Sequence, residues 1–390
     1  MELTLKQQQG LDITLQKHKD KEKYVVISGY AGTGKSTLVK FIVDALQVAP
    51  DKICYAAYTG KAAEVLRKKG NPNAMTLHRL LYESVPLPGG GFFRKPKLSL
   101  GYDIVVVDEV SMVPKSMLDM LLKHKIFVIF LGDPFQLPMI DKNETHDLLD
   151  HPDVFLDQIM RQAEESEIIR LTMKIRNQEE IKTLKGEEVL IDFKSNLMTG
   201  HLNWADCIIC ATNNMRHSLN KQMRELKGLE GPLQNGDKVI IKRNYWDDFN
   251  ADGDVLVNGM IGTVSNVFDS FIQIPRFIKN NRYQIPTIMC DFTPDFGKPF
   301  LGVNLDKDFL LTEEPCVDWR VSYRLGKMNK GDLLPRQGTW GYAITCHAAQ
   351  GSEYDKVLVI EESFPFDKKE HARWLYTACT RASEKLVLMR

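Results

Sequence analysis

A glycine-rich segment followed by a lysine and a serine is the strongest chemical signal in the sequence. Residues 29–36 read GYAGTGKS and match the spacing G-x-x-x-x-G-K-[ST] at every position, between the apolar run YVVISG and an amphipathic segment. Backbone N–H groups of such a loop surround phosphate oxygens, and the N-terminus of the following helix adds partial positive charge. The spacing predicts that Lys35 reaches the β and γ phosphates of a nucleotide and that Ser36 ligates Mg²⁺. The residues expected to bind the nucleotide are Gly29, Gly32, Thr33, Gly34, Lys35, Ser36 and Thr37.

Two adjacent carboxylates end a second apolar run, DIVVVDE at 103–109. In a parallel α/β sheet, ligands collect at the carboxyl ends of the strands. We expect Asp108 to hold Mg²⁺ through water and Glu109 to orient and deprotonate the attacking water. A carboxylate pair alone is weak evidence, but beside a phosphate loop it predicts hydrolysis of a nucleoside triphosphate.

Composition restricts the class of protein without naming a ligand. The 390 residues contain 51 Lys plus Arg and 51 Asp plus Glu, so the formal net charge is zero and gives no argument for nucleic-acid binding. No apolar run approaches the ~18–20 residues that cross a bilayer, and the N-terminus lacks a signal-peptide pattern. Seven cysteines without a regular spacing fit a reducing compartment. We therefore expect a cytoplasmic protein, bacterial or phage-encoded, with no membrane partner, and we expect the pair Cys207 and Cys210 to lie in a buried strand.

The apolar runs alternate with amphipathic segments in two parts of the chain. Residues 1–150 read as a doubly wound α/β domain, interrupted over 82–100 by a segment rich in proline and glycine that predicts a hairpin. Residues 151–235 and 336–390 read as a second α/β domain. Short β-type runs separated by Gly, Asp, Asn and Pro predict a β-rich insertion over 236–335.

Further segments occur in a characteristic order along the chain. They are YTGKAAEVL (58–66), TLHRLL (76–81), DEVSMV (108–113), GDPFQLP (132–138), IMRQAEES (159–166), ATNN (211–214), YAITCHAAQGSEYDKV (342–357) and YTACTRASEKL (376–386). This set resembles superfamily 1B DNA helicases of the RecD-like and Dda-like type, from Gln7 to Arg381. The resemblance implies two RecA-like domains forming a P-loop ATPase cleft, with a hairpin insertion in the first and a small-barrel insertion in the second. It also implies a monomer that uses ATP and Mg²⁺ to translocate 5′→3′ on single-stranded DNA and to unwind duplex at junctions, with replication or recombination proteins as partners.

The resemblance also implies roles in nucleotide binding and hydrolysis. Gln7 corresponds to the glutamine that reads the adenine edge, although the adjacent Gln8 and Gln9 leave the register open. Gln136 is similar to the γ-phosphate sensor, Gly351 to a residue against the phosphates, and Glu353 to a ribose contact. Arg161 and Arg381 resemble the two arginines that the second domain supplies across the cleft. A guanidinium that meets the transferring phosphoryl group contributes roughly 10³–10⁵ in rate, whereas surface ion pairing is the structural alternative for both.

A last group of residues would contact single-stranded DNA. The resemblance implies this role for Thr59, Thr76, His78, Asn213, Thr345 and His347. Relatives carry Lys after the last of these, where this sequence has Ala348, so one cationic contact is missing. Phe92 and Phe93 lie where relatives carry a separation pin. They would either stack on the last base pair or pack the predicted hairpin at 82–100 against the core.

Two other functions stay open at the level of sequence. No residue excludes contact with a ribose 2′-hydroxyl, so an RNA helicase of the same superfamily is one. The other is a nucleotide-gated clamp on single-stranded DNA without unwinding. The paired arginines favour a two-lobed motor over a P-loop kinase or a ring ATPase. We expect no accessory domain at either end.

Overall fold

The computed structural model describes residues 3–86, 92–139, 141, 143–251, 254–275, 284–295, 297–327, 334–363 and 367–390. The strands are β1 (Tyr24–Gly29), β2 (Ile53–Ala57), β3 (Met75–Thr76), β4 (Tyr82–Pro86), β5 (Phe92–Pro96), β6 (Ile104–Val107), β7 (Phe127–Gly132), β8 (Val154–Leu156), β9 (Leu184–Lys185), β10 (Val189–Asp192), β11 (Cys207–Cys210), β12 (Lys238–Ile241), β13 (Tyr245–Phe249), β14 (Val255–Leu256), β15 (Ile261–Gln273), β16 (Gln284–Pro294), β17 (Phe300–Asp306), β18 (Gly338–Trp340), β19 (Ala343–Thr345), β20 (Tyr354–Ile360) and β21 (Ala382–Met389). The α-helices are α1 (Leu5–Lys19), α2 (Lys35–Leu46), α3 (Gly60–Lys68), α4 (Leu77–Leu81), α5 (Lys115–Leu121), α6 (Arg161–Glu164), α7 (Glu167–Arg176), α8 (Thr199–Trp204), α9 (Asn213–Leu226), α10 (Lys307–Thr312), α11 (Trp319–Lys327), α12 (Cys346–Ala349) and α13 (Lys368–Cys379).

The chain divides into two compact units, and each is described separately. The first comprises Met1–Leu81, Lys97–Thr212 and Thr345–Arg390, and the second comprises Tyr82–Pro96 and Asn213–Ile344. Both parallel sheets lie in the first unit. The boundary expected at residue 150 falls before the last strand of the first sheet, because β8 pairs in parallel with β1.

The first sheet is a doubly wound parallel sheet with the order β3-β2-β6-β7-β1-β8. Its central strands are apolar on both faces, as expected for strands covered by helices on each side. Side chains such as Val25, Ile27 and Ile129 form the core with Leu38 and Ile42 of α2. Because the strands are parallel, the loops that follow β1, β6 and β7 emerge at one edge of the sheet.

The second sheet contains, in this order, β11-β20-β21-β10-β9. The first four strands are parallel and β9 is antiparallel at the edge. β11 is the buried CIIC run, and neither Cys207 nor Cys210 forms a disulfide. Among the described residues, no group of three metal-binding side chains occurs. No helix in the described part of the chain is long and apolar enough to span a bilayer. The prediction of two RecA-like sheets is confirmed.

The second unit contains the two predicted insertions. β4 and β5 pair as an antiparallel hairpin, with Phe92 opposite Pro86 and Phe93 opposite Val85. The side chains of both phenylalanines lie outside the described part of the structure. An antiparallel sheet with the order β17-β16-β15-β12-β18 packs around buried apolar residues, and its last strand comes after the expected limit at residue 335. The hairpin and the β-rich insertion are both confirmed.

Candidate active site

The phosphate loop connects β1 to α2 and can be formed only with small residues at its glycine positions. Gly32 and Gly34 both have a φ of +78°, where a side chain is strained. A β-carbon at Gly34 would lie 2.5 Å from Nε2 of Gln7. A β-carbon at Gly29 would lie 2.8 Å from the carbonyl oxygen of Leu156. The glycines therefore allow both the turn and the close packing of neighbouring backbone.

Lys35 begins α2, and its ammonium group lies over the loop. Nζ donates hydrogen bonds to the carbonyl oxygens of Gly29 at 2.7 Å and Tyr30 at 3.0 Å. Thr33 is buried, and its hydroxyl donates to the carbonyl oxygen of Tyr30 at 2.8 Å. Ser36 is exposed and Thr37 is half-buried in the first turn of α2. The lysine can exchange its two carbonyl partners for phosphate oxygens without moving the helix.

Gln7 packs directly against the loop, whereas Gln8 and Gln9 are exposed. Gln7 is 1% exposed and forms a capping box with Thr4, whose N–H donates to Gln7 Oε1 at 3.0 Å. Its Nε2 donates to the carbonyl oxygen of Thr33 at 3.3 Å. This placement favours Gln7 over its two neighbours as the residue near a nucleotide, and adenine recognition stays a prediction.

The carboxylate pair follows β6 at the same sheet edge. Burial, together with the charge of Glu109, raises the pKa of Asp108 to about 6. Glu109 has a φ of +52°, a left-handed conformation that is uncommon for a residue other than glycine. Its N–H donates to Oδ1 of Asp108 at 2.9 Å, and its Oε1 accepts from Nε2 of Gln136 at 3.2 Å. Oδ1 of Asp108 is therefore bonded to the backbone of the turn, whereas the Glu109 carboxylate is bonded to the side chain of Gln136.

Arg381 immediately precedes β21, and its side chain is held by hydrogen bonds. It is 4% exposed, and it donates to the carbonyl oxygens of Thr377 at 3.1 Å and Ser352 at 3.2 Å. Its Nη2 lies 3.8 Å from Oε1 of Glu109. The guanidinium therefore faces the carboxylate pair. The other predicted arginine, Arg161, begins α6, and its side chain lies outside the described part of the structure.

These groups line one cavity of ≈ 370 Å³ within the first unit. The predicted site residues in its wall are Gly32, Lys35, Ser36, Asp108, Glu109, Gln136, Gly351, Glu353 and Arg381. Elements of both RecA-like sheets contribute to this set. Gly351 has a φ of +68°, and Glu353 forms an ion pair with Lys69 at 3.0 Å. The remaining residues predicted to bind the nucleotide do not line the cavity. They are Gln7, Gly29, Thr33, Gly34 and Thr37.

Sequence reasoning missed Asp133 and Tyr376, which join the two halves of the cavity. The Tyr376 hydroxyl donates to Oδ2 of Asp133 at 2.5 Å and accepts from the N–H of Ala31 at 2.9 Å. Burial and the Asp133 charge raise the pKa of Tyr376 well above its ordinary value. Both residues lie in segments of the motif set, GDPFQLP and YTACTRASEKL, so the motifs identified the segments but not the contact between them.

The loop at 133–137, which follows β7, is also held by other residues of α13 and by the segment before β20. The N–H of Leu137 donates to Oγ1 of Thr377 at 2.9 Å, and Nη2 of Arg373 donates to the carbonyl oxygen of Pro134 at 2.7 Å. Nε2 of Gln350 donates to the carbonyl oxygen of Leu137 at 2.6 Å. The loop that carries Gln136 is therefore fixed by the second sheet and its helices.

The residues predicted to contact DNA lie in both units. In the first unit, Oγ1 of Thr59 accepts from the N–H of Ala62 and caps α3, and Oγ1 of Thr76 accepts from the N–H of Arg79. His78 packs against Tyr58 with ring centroids 5.7 Å apart.

His347 is half-buried in the first unit, and burial lowers its pKa. Thr345, the residue before α12, is also half-buried. In the second unit, Asn213 begins α9, and its Oδ1 accepts from Nε of Arg216 at 3.2 Å. DNA contact by these six residues stays a prediction.

Comparison with known proteins finds similarity to two families and to several helicases. A family described as an AAA domain matches residues 4–189, and a family described as a UvrD-like helicase C-terminal domain matches residues 341–389. The ATP-dependent RecD2 DNA helicase of Deinococcus radiodurans is 27% identical over 93% of this chain, and the ATP-dependent DNA helicase dda of Enterobacteria phage T4 is 25% identical over 97% of it. The chain is similar to superfamily 1B DNA helicases of the RecD-like and Dda-like type.

Coverage differs among these superfamily 1B relatives. This chain spans 97% of the phage T4 protein but only 46% of the Deinococcus protein. A crystal structure of Pif1 helicase from Bacteroides in complex with ADP-AlF3 and ssDNA aligns with a TM-score of 0.52 and 20% identity, covering 100% of this chain and 92% of that one. The likeness shows that the two proteins share a fold.

Proposed function

We propose that this protein is an ATP-driven motor that translocates 5′→3′ along single-stranded DNA and unwinds duplex DNA ahead of it. The observation that carries the proposal is the shared cavity, in which Lys35, Glu109 and Gln136 of one RecA-like half face Arg381 of the other. The curated relatives named as ATP-dependent DNA helicases support the reaction. The 5′→3′ direction rests on the superfamily 1B resemblance.

The cavity residues divide the work of hydrolysis. Glu109 accepts a proton from the attacking water, and Gln136, bonded to the same carboxylate, senses the γ-phosphate. Lys35 and Arg381 compensate the negative charge that spreads over the phosphoryl oxygens. Since Arg381 lies on a different sheet from Lys35, full compensation requires both halves to meet at the nucleotide. Hydrolysis is therefore coupled to their relative movement.

The donor set fits Mg²⁺ bound together with ATP rather than a resident metal. Asp108 uses Oδ1 for a backbone N–H, and its second carboxylate oxygen has no such bond among the described residues. Burial and then the charge of Glu109 raise the pKa of Asp108, so a nearby cation would stabilise its charged form. A hydrated Mg²⁺ held by Ser36 and Asp108 would supply this positive charge and neutralise the phosphates, taking few ligands from the protein.

A strand-displacement assay with 5′-tailed, 3′-tailed and blunt duplexes tests the proposal. We expect ATP-dependent separation of the 5′-tailed duplex alone. Separation of the 3′-tailed duplex would reverse the polarity. ATPase activity that DNA stimulates without strand separation would indicate a clamp, and stronger stimulation by an RNA oligomer would change the substrate class.

A further inference from the structure

Four titratable side chains come together in the second unit, and none of them is among the residues that line the cavity of the first unit. Arg216 and His217 lie in the first turns of α9, Lys242 follows β12, and Glu313 follows α10. Nη2 of Arg216 forms an ion pair with Oε1 of Glu313, and Nε2 of His217 lies 3.6 Å from the same oxygen. We call these four residues the α9 cluster.

The α9 cluster contains more positive than negative charge. Arg216 is 2% exposed, and its Nη1 is buried without a hydrogen-bond partner among the described residues. Lys242 is half-buried, and within the described part of the chain no carboxylate lies within ion-pair distance of its ammonium. Burial and then the charge of Arg216 lower the pKa of Lys242. Glu313 therefore pairs with Arg216 and acts on Lys242 only through its charge. Unpaired buried cations are unfavourable unless a further anion binds.

The carboxylate that now contacts Arg216 is supplied by a strained backbone. Glu313 has a φ of +59° at the end of α10, where glycine is the usual residue. Such strain is of order 1 kcal/mol or more and tends to occur at functional positions. Oε1 of Glu313 accepts from Nη2 of Arg216, a donor that would also pair with a phosphate oxygen. Glu313 therefore lies where a bound phosphate would contact Arg216.

We propose that Arg216, His217 and Lys242 bind one backbone phosphate of the single strand, and that this phosphate displaces Glu313 from the guanidinium. The inference rests on the proposed function, because it assumes a nucleic-acid strand as ligand. It adds a site that the motif resemblance did not assign. Arg216 also donates to Asn213, so the residue expected to face DNA is fixed by the α9 cluster. Guanidinium and ammonium groups contact phosphates without reading sequence, as a motor requires.

Binding of a fluorescent oligothymidylate to Lys242→Gln, measured over a range of salt, tests the site. We expect affinity about three- to tenfold weaker and a salt slope smaller by about 0.7, since one phosphate contact is lost. Lys221→Gln is the matched control, because Lys221 lies on α9 with 76% of its side chain exposed. Glu313→Gln should bind more tightly, because it removes the competing carboxylate. A thermal melt of each variant checks that the fold is retained.

A neutral methylphosphonate linkage, moved along the oligomer, separates a backbone phosphate from free phosphate. At one linkage the wild type should lose affinity, while Lys242→Gln should lose nothing further. The site would be refuted if the loss of affinity from the neutral linkage and the loss from Lys242→Gln add at every position of the linkage. It would also be refuted if Lys242→Gln binds with unchanged affinity and an unchanged salt slope. Competition by inorganic phosphate at millimolar concentration with no linkage effect would also refute it, in favour of a free anion. If the wild type itself fails to bind the oligomer, the proposed function fails instead.

Discussion

In the proposed mechanism, Glu109 is the residue on which the chemistry depends most directly. Its left-handed backbone and its hydrogen bond to Gln136 place a carboxylate opposite Arg381. We expect Glu109→Gln to reduce kcat for ATP hydrolysis by about 10²–10⁴, because an amide cannot accept the proton of the attacking water. Affinities for ATP and for single-stranded DNA should stay near those of the wild type. Turnover near the wild-type rate would show that another group is the base.

Asp108 should destabilise the fold when no cation is bound. Its pKa is raised to about 6, so between the ordinary carboxyl pKa of 3.8 and about 6 the native state binds more protons than the unfolded state. Stability contributed by this group is therefore lost as pH rises through that window. In a chelator above about pH 7, Asp108→Asn should raise the free energy of unfolding by about 1–3 kcal/mol.

Thermal unfolding across the pH range checks this expectation. The advantage of Asp108→Asn over the wild type should shrink as pH falls below about 6 and disappear below about 4. A constant difference at all pH values would mean that burial of the charge is not its cause. ATPase activity, measured as a separate control, should be lost in this variant because the expected ligand of Mg²⁺ is gone.

At the residue scale, spacing within a single motif identified most of the site residues, whereas contacts between residues far apart in the sequence could not be predicted. Gly34, Lys35, Asp108 and Glu109 could be identified because one short segment dictates each of their environments. Tyr376 could not, since its partner Asp133 is 243 residues away in the sequence. A tyrosine in a motif is compatible with a core position, and only the fold shows that its hydroxyl contacts the phosphate loop.

At the scale of elements, hydrophobic runs predicted the parallel strands well. β1, β6, β7 and β11 are continuous apolar stretches, and each is buried on both faces. β8 could not be predicted from its sequence, because three residues carry too little periodicity and the strand is defined by its pairing with β1. The long strands β15 and β16 were likewise predicted only as shorter runs, because polar residues on their exposed faces interrupt the apolar pattern.

The contact between α13 and the loop at 133–137 is the element-level feature most open to test. Tyr376→Phe removes one hydroxyl and leaves the N–H of Ala31 and a buried oxygen of Asp133 without this partner. The loss of such a buried pair is typically about 1–3 kcal/mol. Because the loop positions Gln136, we expect kcat for ATP hydrolysis to fall about tenfold or more, with a smaller change in KM.

Tyr24→Phe is the matched control for this experiment. Tyr24 lies at the opposite end of β1 from the phosphate loop, so the same loss of a hydroxyl should leave kcat and KM unchanged. If Tyr376→Phe lowers the unfolding temperature but retains wild-type kcat, the contact is structural only. Equal effects of the two substitutions would also contradict a role in positioning.

At the scale of the whole molecule, the proposed mechanism makes hydrolysis depend on two separate sheets, because residues from both line the cavity. Arg381 is anchored by carbonyl oxygens of its own half and points at the carboxylates of the other. An ion pair between Lys69 and Glu353 and the bonds from α13 add further contacts across the same cavity. A bound nucleotide would therefore be enclosed by groups from both halves, and these groups surround it only when the halves close.

Substitution of Arg381 tests this coupling between chemistry and movement. We expect Arg381→Ala to reduce kcat by roughly 10³ or more, because the transition state loses a guanidinium. DNA should no longer stimulate the residual hydrolysis, since stimulation requires the closed cavity. Arg381→Lys keeps the charge but loses the planar fork that Thr377 and Ser352 hold, so it should recover little activity. Single-turnover hydrolysis with and without oligothymidylate measures both effects, and DNA stimulation that survives in Arg381→Ala would mean that the two halves are coupled through another residue.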